Sequence, residues 1–189
     1  MDENLAKIRH ERSVRDFPNL KLEDDEYVEF AFSRAKICLI MIIVGTALGL
    51  GVILLGFLLV LLGQESIDEM GKHYLFIILF ALLAAAIVIG IVATMIYRGN
   101  RLIITNKRVI QLVMTSPTAH SMNIIELKKI EDASYKREGI LQALFNYGTF
   151  RLSTVGDETT YTFKYSDITT EELKEVSKLI SKKQNRNQK

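Results

Sequence analysis

The residue types that commonly perform catalysis or bind metals are few in this chain, and they are far apart in sequence. The histidines are His10, His73 and His120, and the single cysteine is Cys38. A zinc site needs several Cys, His or carboxylate ligands, usually at short spacings, and one cysteine cannot form a disulfide within the chain. The sequence also has no glycine-rich phosphate-binding loop and no Gly-x-Ser-x-Gly turn. We therefore predict a protein that is not an enzyme and that uses no cofactor and no metal.

Two long apolar segments account for much of the 49% hydrophobic content of the 189 residues. Residues 37–62 and residues 74–97 contain no Asp, Glu, Lys, Arg or His. About 20 apolar residues in a helix cross the hydrocarbon core of a bilayer, so both segments are long enough to span a membrane. Residues 63–73 form a short connection, which predicts an antiparallel hairpin of two transmembrane helices. The absence of ionisable residues within the spans argues against a pump or transporter.

The charges beside the spans predict their direction. Lys and Arg residues flank the spans on the side of both termini, whereas the connection carries only Lys72. Because Lys and Arg are enriched in cytoplasmic loops, we expect both termini in the cytoplasm. The membrane would be the cell membrane, either plasma or inner, and the connection would lie on its outer side. The cations that follow the second span are Arg98, Arg101, Lys107 and Arg108.

Small residues recur at four-residue spacing within the spans. Gly45 and Gly49 have this spacing in the first, and Ala86 and Gly90 in the second. Small residues let helix backbones approach closely. We interpret them as packing the two helices of one chain together, and a homo-oligomer contact is the alternative.

Residues 98–183 have the pattern of a small, mainly β domain with a helix at its end. In the last strand candidate, Tyr161, Phe163 and Tyr165 alternate with polar residues, which is typical of a half-buried strand. Thr169 and Glu172 have capping-box spacing at the start of the helix. We expect a frayed tail at residues 184–189. The strand candidates are residues 101–105, 108–115, 120–127, 129–138, 149–154 and 159–165, with a helical turn within 139–148 and a chain turn at 155–158.

Residues 1–36 form a charged cytoplasmic segment whose structure the pattern leaves open. Tyr27, Phe30 and Phe32 cluster before the first span. They have two possible positions, the membrane interface or the surface of the C-terminal domain.

Three stretches in this order resemble the bacterial pleckstrin-homology-like membrane proteins, also called the membrane-flanked domain family. They are RLIITNKRVI, NIIELKKIEDASY and GILQALFNYGTFRLSTVG. The resemblance covers residues 74–165. The chain departs from the pattern with Ile-Glu-Leu at 125–127 in place of a proline-containing step and with Ile-Thr-Asn in place of Leu-Thr-Asn. The resemblance implies an antiparallel β-sandwich or barrel capped by a C-terminal helix, and a binding or scaffolding module.

These observations predict a membrane-anchored adaptor that binds a protein partner in a membrane complex. A lipid-sensing or envelope-stress component is the alternative, and a small channel or transporter subunit is a third possibility. In the lipid-sensing case, Arg98, Arg101, Lys107 and Arg108 would contact anionic head groups of membrane lipids. The simpler explanation is that Arg98 and Arg101 only set topology and that the other two serve a hairpin turn. Basic residues alternate with acidic ones and lack an aromatic platform, so we expect no nucleic-acid binding.

Overall fold

The computed structural model describes residues 3–63, 68–154 and 160–187, and the chain divides into two compact units. Residues 36–97 form a helical unit, and residues 1–35 with residues 98–189 form a mainly β unit. In chain order the elements are α1 (Glu3–Asp16), β1 (Val28–Ser33), α2 (Lys36–Leu62), α3 (Glu69–Gly99), β2 (Arg101–Thr105), β3 (Arg108–Met114), β4 (His120–Glu126), a 3₁₀ turn (Leu127–Lys129), β5 (Ile130–Lys136), α4 (Ile140–Leu144), β6 (Gly148–Thr154), β7 (Thr160–Ser166) and α5 (Thr170–Asn187).

The helical unit is an antiparallel pair. Phe57 stacks on Phe76 with ring centroids 5.8 Å apart, and Gly90 lies against Thr46. Helix α3 begins at Glu69, several residues before the expected start at 74. The reason is local, because the Asp68 carboxylate accepts a hydrogen bond of 3.2 Å from the Gly71 N–H and so caps the helix. Both helices are long and apolar enough to cross a membrane.

The β unit contains seven antiparallel strands in two sheets. One sheet has the order β1-β2-β3-β4 and the other β5-β6-β7. Large apolar side chains from both sheets fill the space between them, among them Leu102, Ile104, Phe150 and Leu152. A gap remains between the two sheets beside Gln111, and it is too small to hold a water molecule. Among the described residues, one bridge between Arg34 and Ser166 joins β7 to the end of β1, and the sheets do not close into a barrel.

Strand β1 comes from the part of the chain that precedes the first apolar helix. It pairs with β2, with Ser33 opposite Arg101 and Val28 opposite Thr105. Phe32 and Tyr27 are buried, and the Phe32 ring lies 6.5 Å from that of Phe150. The aromatic cluster before the first span therefore packs on the β unit. This unit also includes residues before the span, in addition to the expected 98–183.

Helix α5 covers the opening between the sheets. The Thr169 hydroxyl accepts from the Glu172 N–H at 3.2 Å, and the Glu172 carboxylate accepts from the Thr169 N–H at 2.8 Å, which is the expected capping box. Val176 and Ile180 are buried in the core. The Gln184 side chain donates to the Ile130 carbonyl at 2.6 Å. This contact holds the end of the helix, which continues to Asn187 through residues expected to fray.

The last strand alternates as predicted only up to Phe163. Phe163 is buried and Tyr161 half-buried, but Tyr165 is exposed and has a φ of 62°. The register of β6 and β7 shifts at this point, between Gly148 and Thr149. The shift places the Tyr165 carbonyl where it accepts a 2.6 Å hydrogen bond from the Ala35 N–H. The expected turn at 155–158 lies outside the described residues.

Candidate functional site

The strand register gives the β unit two distinct ends. The chain leaves β1 after Ser33 to enter α2, and it returns from α3 to start β2 at Arg101 opposite Ser33. We call this the junction end; it comprises residues 33–35, 100–101, 114–120, 136–148 and 165–166. The opposite end, which we call the hairpin end, comprises residues 21–28, 105–108 and 126–130. Both apolar helices therefore connect to the same end of the β unit.

A buried carboxylate organises the hairpin end. Glu26 is fully buried, and its Oε1 accepts hydrogen bonds from Arg108 Nε at 2.9 Å and from the Thr105 hydroxyl at 2.7 Å. Its Oε2 accepts from Arg108 Nη2 at 2.8 Å and from the Glu23 N–H at 3.1 Å. A bidentate Arg–carboxylate pair is among the strong hydrogen-bonded arrangements in proteins, and here it is fully enclosed on the acid side.

The electrostatics of Glu26 reflect two opposing effects. Burial raises the pKa of this carboxyl, but the hydrogen bonds from Arg108, Thr105 and the Glu23 N–H lower it. The hydrogen bonds together with the Arg108 charge outweigh burial, so the pKa of Glu26 lies below its ordinary value. Glu26 is therefore an anion in the folded protein at neutral pH.

The turn between β2 and β3 is bound to the same N-terminal segment. The Asn106 side chain accepts from the Tyr27 N–H at 3.1 Å and donates to the Asp25 carbonyl at 2.9 Å. Lys107 forms an ion pair with Glu23 at 2.5 Å and a second one with Asp25. Its pKa is raised, chiefly by the hydrogen bond to Asp25. The turn residues thus join two parts of the chain that the helical unit separates in sequence.

The four cations that would contact lipid head groups in the lipid-sensing alternative do not form one surface. Arg101 lies at the junction end, and Arg98 lies three residues before it, in the last turn of α3. Both side chains are exposed. Lys107 and Arg108 lie at the hairpin end, where carboxylates bind both. A strand rises about 3.3 Å per residue, so β2 alone separates Arg101 from Thr105 by about 13 Å.

An open groove adjoins this network at the hairpin end. Its volume is 480 Å³. Both signs of charge line it together with two apolar side chains, so it has no strong single-sign field. The lining residues are Glu23, Lys107, Arg108, Ile124, Glu126, Leu127, Lys128 and Lys183.

Strand β4 borders the groove and forms an edge of its sheet. Among the described residues it pairs with β3 alone. Its Met122 and Ile124 are each 50% exposed, while their neighbours on that face, Ile110 and Leu112, pack against Leu20 and other residues of the N-terminal segment. That segment reaches β4 only beside Met122, with which it lines a small cavity, and it leaves an apolar strip at the sheet edge half exposed.

The junction end is held by a buried asparagine. Asn100 lies between α3 and β2, and its side chain donates to the Met114 carbonyl at 2.9 Å and accepts from the Met114 N–H at 3.4 Å. Gly99, beside it, lies so close to Met114 that a Cβ there would be 2.2 Å from the sulfur. These contacts fix the chain where it returns from α3.

The glycine pattern of the helices is divided between two surfaces. A Cβ on Gly90 would lie 2.8 Å from Thr46, whereas a Cβ on Gly45 or Gly49 would meet none of the described residues within 4 Å. Ala86 and Gly90 are half-buried, and Gly45 and Gly49 are exposed. Within one chain, the expected packing role therefore falls to Gly90 with Thr46, and Gly45 and Gly49 do not take part.

The described part of the chain brings no cluster of metal-ligating side chains together. No group of three or more His, Cys, Asp or Glu residues there is placed to hold a metal ion.

The sequence analysis did not predict the hydrogen-bond network around Glu26. The sequence does contain an indication of it, the acidic run at 23–26 and the basic pair at 107–108. The pairing of β1 with β2 brings these two segments together.

Two antiparallel sheets of four and three strands with a C-terminal helix across their opening define a pleckstrin-homology-like module. Modules of this class generally bind other molecules and do not catalyse reactions. The chain belongs to the bacterial PH domain family, whose model matches residues 30–184. The match includes residues 30–33 of β1 and both apolar helices.

A solved structure, a DUF1696 family protein with a pleckstrin-homology domain from Shewanella loihica PV-4, is similar over part of the chain. The alignment covers 45% of this chain and 70% of that one, with 16% sequence identity and a TM-score of 0.34. No curated protein matches the chain.

Proposed function

We propose that the protein is a membrane-anchored adaptor. Helices α2 and α3 cross the cell membrane, the β unit lies on its cytoplasmic face, and the hairpin end binds a protein partner within a membrane complex. The observation that carries this proposal is the connection of both helices to one end of the β unit, since it leaves the groove at the other end. The edge of β4 extends from that groove along the strand.

The surface of the helical unit supports anchoring in lipid. Helix α2 has no buried residue, and Leu48, Val52 and Ile89 are among its many exposed side chains and those of α3. Removing one such side chain from water is worth about 1.5–3 kcal/mol. A hydrophobic helix that is apolar all round requires a surrounding that is equally apolar, and a bilayer supplies it.

The charges around the helices support the cytoplasmic position. Arg98 lies in the last turn of α3, Arg101 follows the helix, and both are exposed, whereas residues 63–73 carry Lys72 as their one Lys or Arg. This asymmetry favours the β unit on the side where the positive charges remain.

A protein partner is favoured over an anionic lipid at the hairpin end. Glu26 neutralises Arg108, and Glu23 and Asp25 neutralise Lys107. Met122 and Ile124 instead offer apolar anchors beside a strand edge that no described residue pairs with, which is the arrangement that an extended peptide segment uses when it adds to a sheet. The lipid-sensing alternative depends on Arg98 and Arg101, which lie at the junction end.

Site-specific photocrosslinking of the full chain in living cells tests the adaptor function. A photoreactive amino acid at Met122 or Ile124 is expected to capture one repeated protein, and the same residue at Lys178 on the exposed side of α5 is the matched control. The captured protein, once purified, is expected to bind the full chain in mild detergent and to lose binding to Ile124→Glu. Capture of lipid alone at both strand positions would reject the adaptor function and favour lipid sensing.

A further inference from the structure

The connection between β5 and β6 is a loop that contains the short helix α4 and has its own hydrogen bonds. The Ala143 N–H donates to the Gly139 carbonyl at 3.2 Å, and the Phe145 N–H donates to the Leu141 carbonyl at 3.0 Å. Gly139 has a φ of 93° and Asn146 a φ of 54°. Both are left-handed conformations that Gly and Asn adopt more readily than other residues. The loop therefore has a defined shape, which its sequence supports.

Packing explains only part of this loop. Tyr147 is buried and lies against Tyr165, and a Cβ on Gly148 would be 2.6 Å from the Lys136 carbonyl oxygen. The four large apolar side chains of the loop are, in contrast, exposed. Their exposed fractions are 86% for Ile140, 55% for Leu141, 71% for Leu144 and 43% for Phe145.

Such a cluster is costly in water. Scattered single apolar residues are normal on a protein surface, but contiguous apolar patches mark contact with a membrane or another protein. Four large apolar residues within six positions of one short loop form such a patch. We call it the apolar tip, which comprises Ile140, Leu141, Leu144 and Phe145.

The strand register places the apolar tip at the junction end. Gly148, directly after the loop, pairs with Ser166, and Ser166 bridges to Arg34. Ala35 donates its N–H to the neighbouring Tyr165 carbonyl, and the next residue, Lys36, begins α2. The loop therefore lies at the end of the β unit from which the chain enters the apolar helices.

The charge at this end matches a lipid surface. Lys136 and Arg137 precede the loop directly, and Arg98 and Arg101 are exposed at the same end of the chain path. The acid in this stretch, Glu138, pairs with Lys136 at 2.5 Å. Segments that lie in the membrane interface combine apolar side chains with Lys and Arg, which are attracted to anionic head groups.

We propose that the apolar tip inserts into the interfacial layer of the bilayer that α2 and α3 cross, and that it is a third membrane contact of the β unit. This proposal rests on the membrane anchoring proposed above. The occupant is the bilayer because the tip shares its end of the β unit with both span junctions. The insertion would fix the orientation of the β unit and keep the hairpin end directed away from the lipid.

Depth-dependent fluorescence quenching of the full chain tests this contact. The protein, with Cys38→Ser, is reconstituted into vesicles of phosphatidylcholine and phosphatidylglycerol, and an environment-sensitive nitrobenzoxadiazole probe is attached at Leu144→Cys. Lipids that carry a doxyl quencher near the head group or deep in the acyl chain report the depth. The control sites are Thr118→Cys in the polar turn at the same end, Lys128→Cys at the hairpin end and Ile89→Cys within α3.

The expected result is a blue-shifted probe at Leu144 that the shallow quencher reduces more strongly than it reduces the probe at Thr118 or Lys128. Adding Ile140→Ser, a change at an exposed position, is expected to decrease that quenching. The deep quencher is expected to act on the probe at Ile89, which verifies the span itself.

Three outcomes would overturn the proposal, and they are distinguishable. A probe at Ile89 that no lipid quencher reaches would reject membrane anchoring and the tip contact together. Quenching at Ile89 with a probe at Leu144 that behaves like the probe at Thr118 would reject the tip contact alone. A blue-shifted probe at Leu144 that neither lipid quencher reduces would show that protein, and not lipid, covers the tip.

Discussion

Arg108 and Glu26 form a bidentate ion pair, with hydrogen bonds of 2.9 and 2.8 Å. Glu26 precedes the first apolar helix and Arg108 follows the second, so the pair joins two chain segments across the whole helical unit in sequence. The β unit therefore contains the helical hairpin as an insertion between β1 and β2. Both flanking segments contribute strands and core residues to this unit.

Removing the cation of this pair leaves a buried charge without its partner. We expect Arg108→Ala to lower the free energy of unfolding by about 3–5 kcal/mol, as is typical when a buried ion pair loses one member. Urea-dependent proteolysis of the full chain in mild detergent measures this change.

The neighbouring Lys107 supplies the matched control. Its carboxylate partners are largely exposed, and exposed pairs contribute up to about 1 kcal/mol. Lys107→Ala is therefore expected to change the free energy of unfolding by less than about 1 kcal/mol. Equal losses for the two substitutions would contradict the structural role of the Arg108–Glu26 pair.

The lowered pKa of Glu26 predicts a loss of stability in acid. The ordinary pKa is 4.5, and the folded protein holds the pKa below that value. A group of this kind adds stability above its unfolded pKa, and the contribution is lost as the pH falls through the folded pKa. We expect the free energy of unfolding to decline below pH 4.5, and to decline less in Glu26→Gln. Unfolding midpoints of both proteins across this range, at fixed detergent, provide the measurement; parallel pH profiles would refute the assignment.

Gly148 is required by a close backbone approach. A Cβ there would lie 2.6 Å from the Lys136 carbonyl oxygen and 2.9 Å from the Tyr135 ring, and backbone cannot move aside as a flexible side chain can. Overpacking usually costs about 1–3 kcal/mol. We therefore expect Gly148→Ala to lower the free energy of unfolding by about 1–3 kcal/mol or more. An unchanged unfolding midpoint in the same proteolysis assay would show that β5 and β6 tolerate a wider separation.

The two kinds of glycine in the helices predict different responses to enlargement. Gly90→Leu would clash with Thr46, so we expect it to separate α2 from α3 or to lower their thermal stability in detergent. A Cβ on Gly45 would meet no described residue within 4 Å, so Gly45→Leu is expected to leave that stability unchanged. Disulfide crosslinking between introduced cysteines at Gly56 and Leu79 reports the packing of the pair. Loss of crosslinking in Gly45→Leu alone would reverse the assignment.

The sequence predicts most of the elements because their patterns are local. The uninterrupted apolar run of α2, the period of two in β6 and the capping box at Thr169 depend on neighbouring residues only. The family resemblance implied an antiparallel β-sandwich or barrel capped by a C-terminal helix. The apolar stripe of α5, with Val176 and Ile180, also follows from local spacing.

Features that depend on pairing between distant segments could not be read in the same way. β1 becomes a strand because β2 lies beside it, and a segment such as VEFAFS fits a strand or a helix when considered alone. The register shift beside Tyr165 places its carbonyl where it binds the Ala35 N–H, and Ala35 precedes the helical unit in sequence whereas Tyr165 follows it. Likewise, the neutralisation of Lys107 and Arg108 depends on carboxylates that precede the first span.

Thiol accessibility in intact cells tests the central claim, that two membrane spans hold the β unit in the cytoplasm. In a Cys38→Ser background, single cysteines are introduced at Met70, at the start of α3, and at Lys128, at the hairpin end. A membrane-impermeant maleimide is expected to label Met70→Cys in intact cells and to label Lys128→Cys only after the membrane is permeabilised. Labelling of Lys128→Cys in intact cells, with Met70→Cys protected until permeabilisation, would contradict the account.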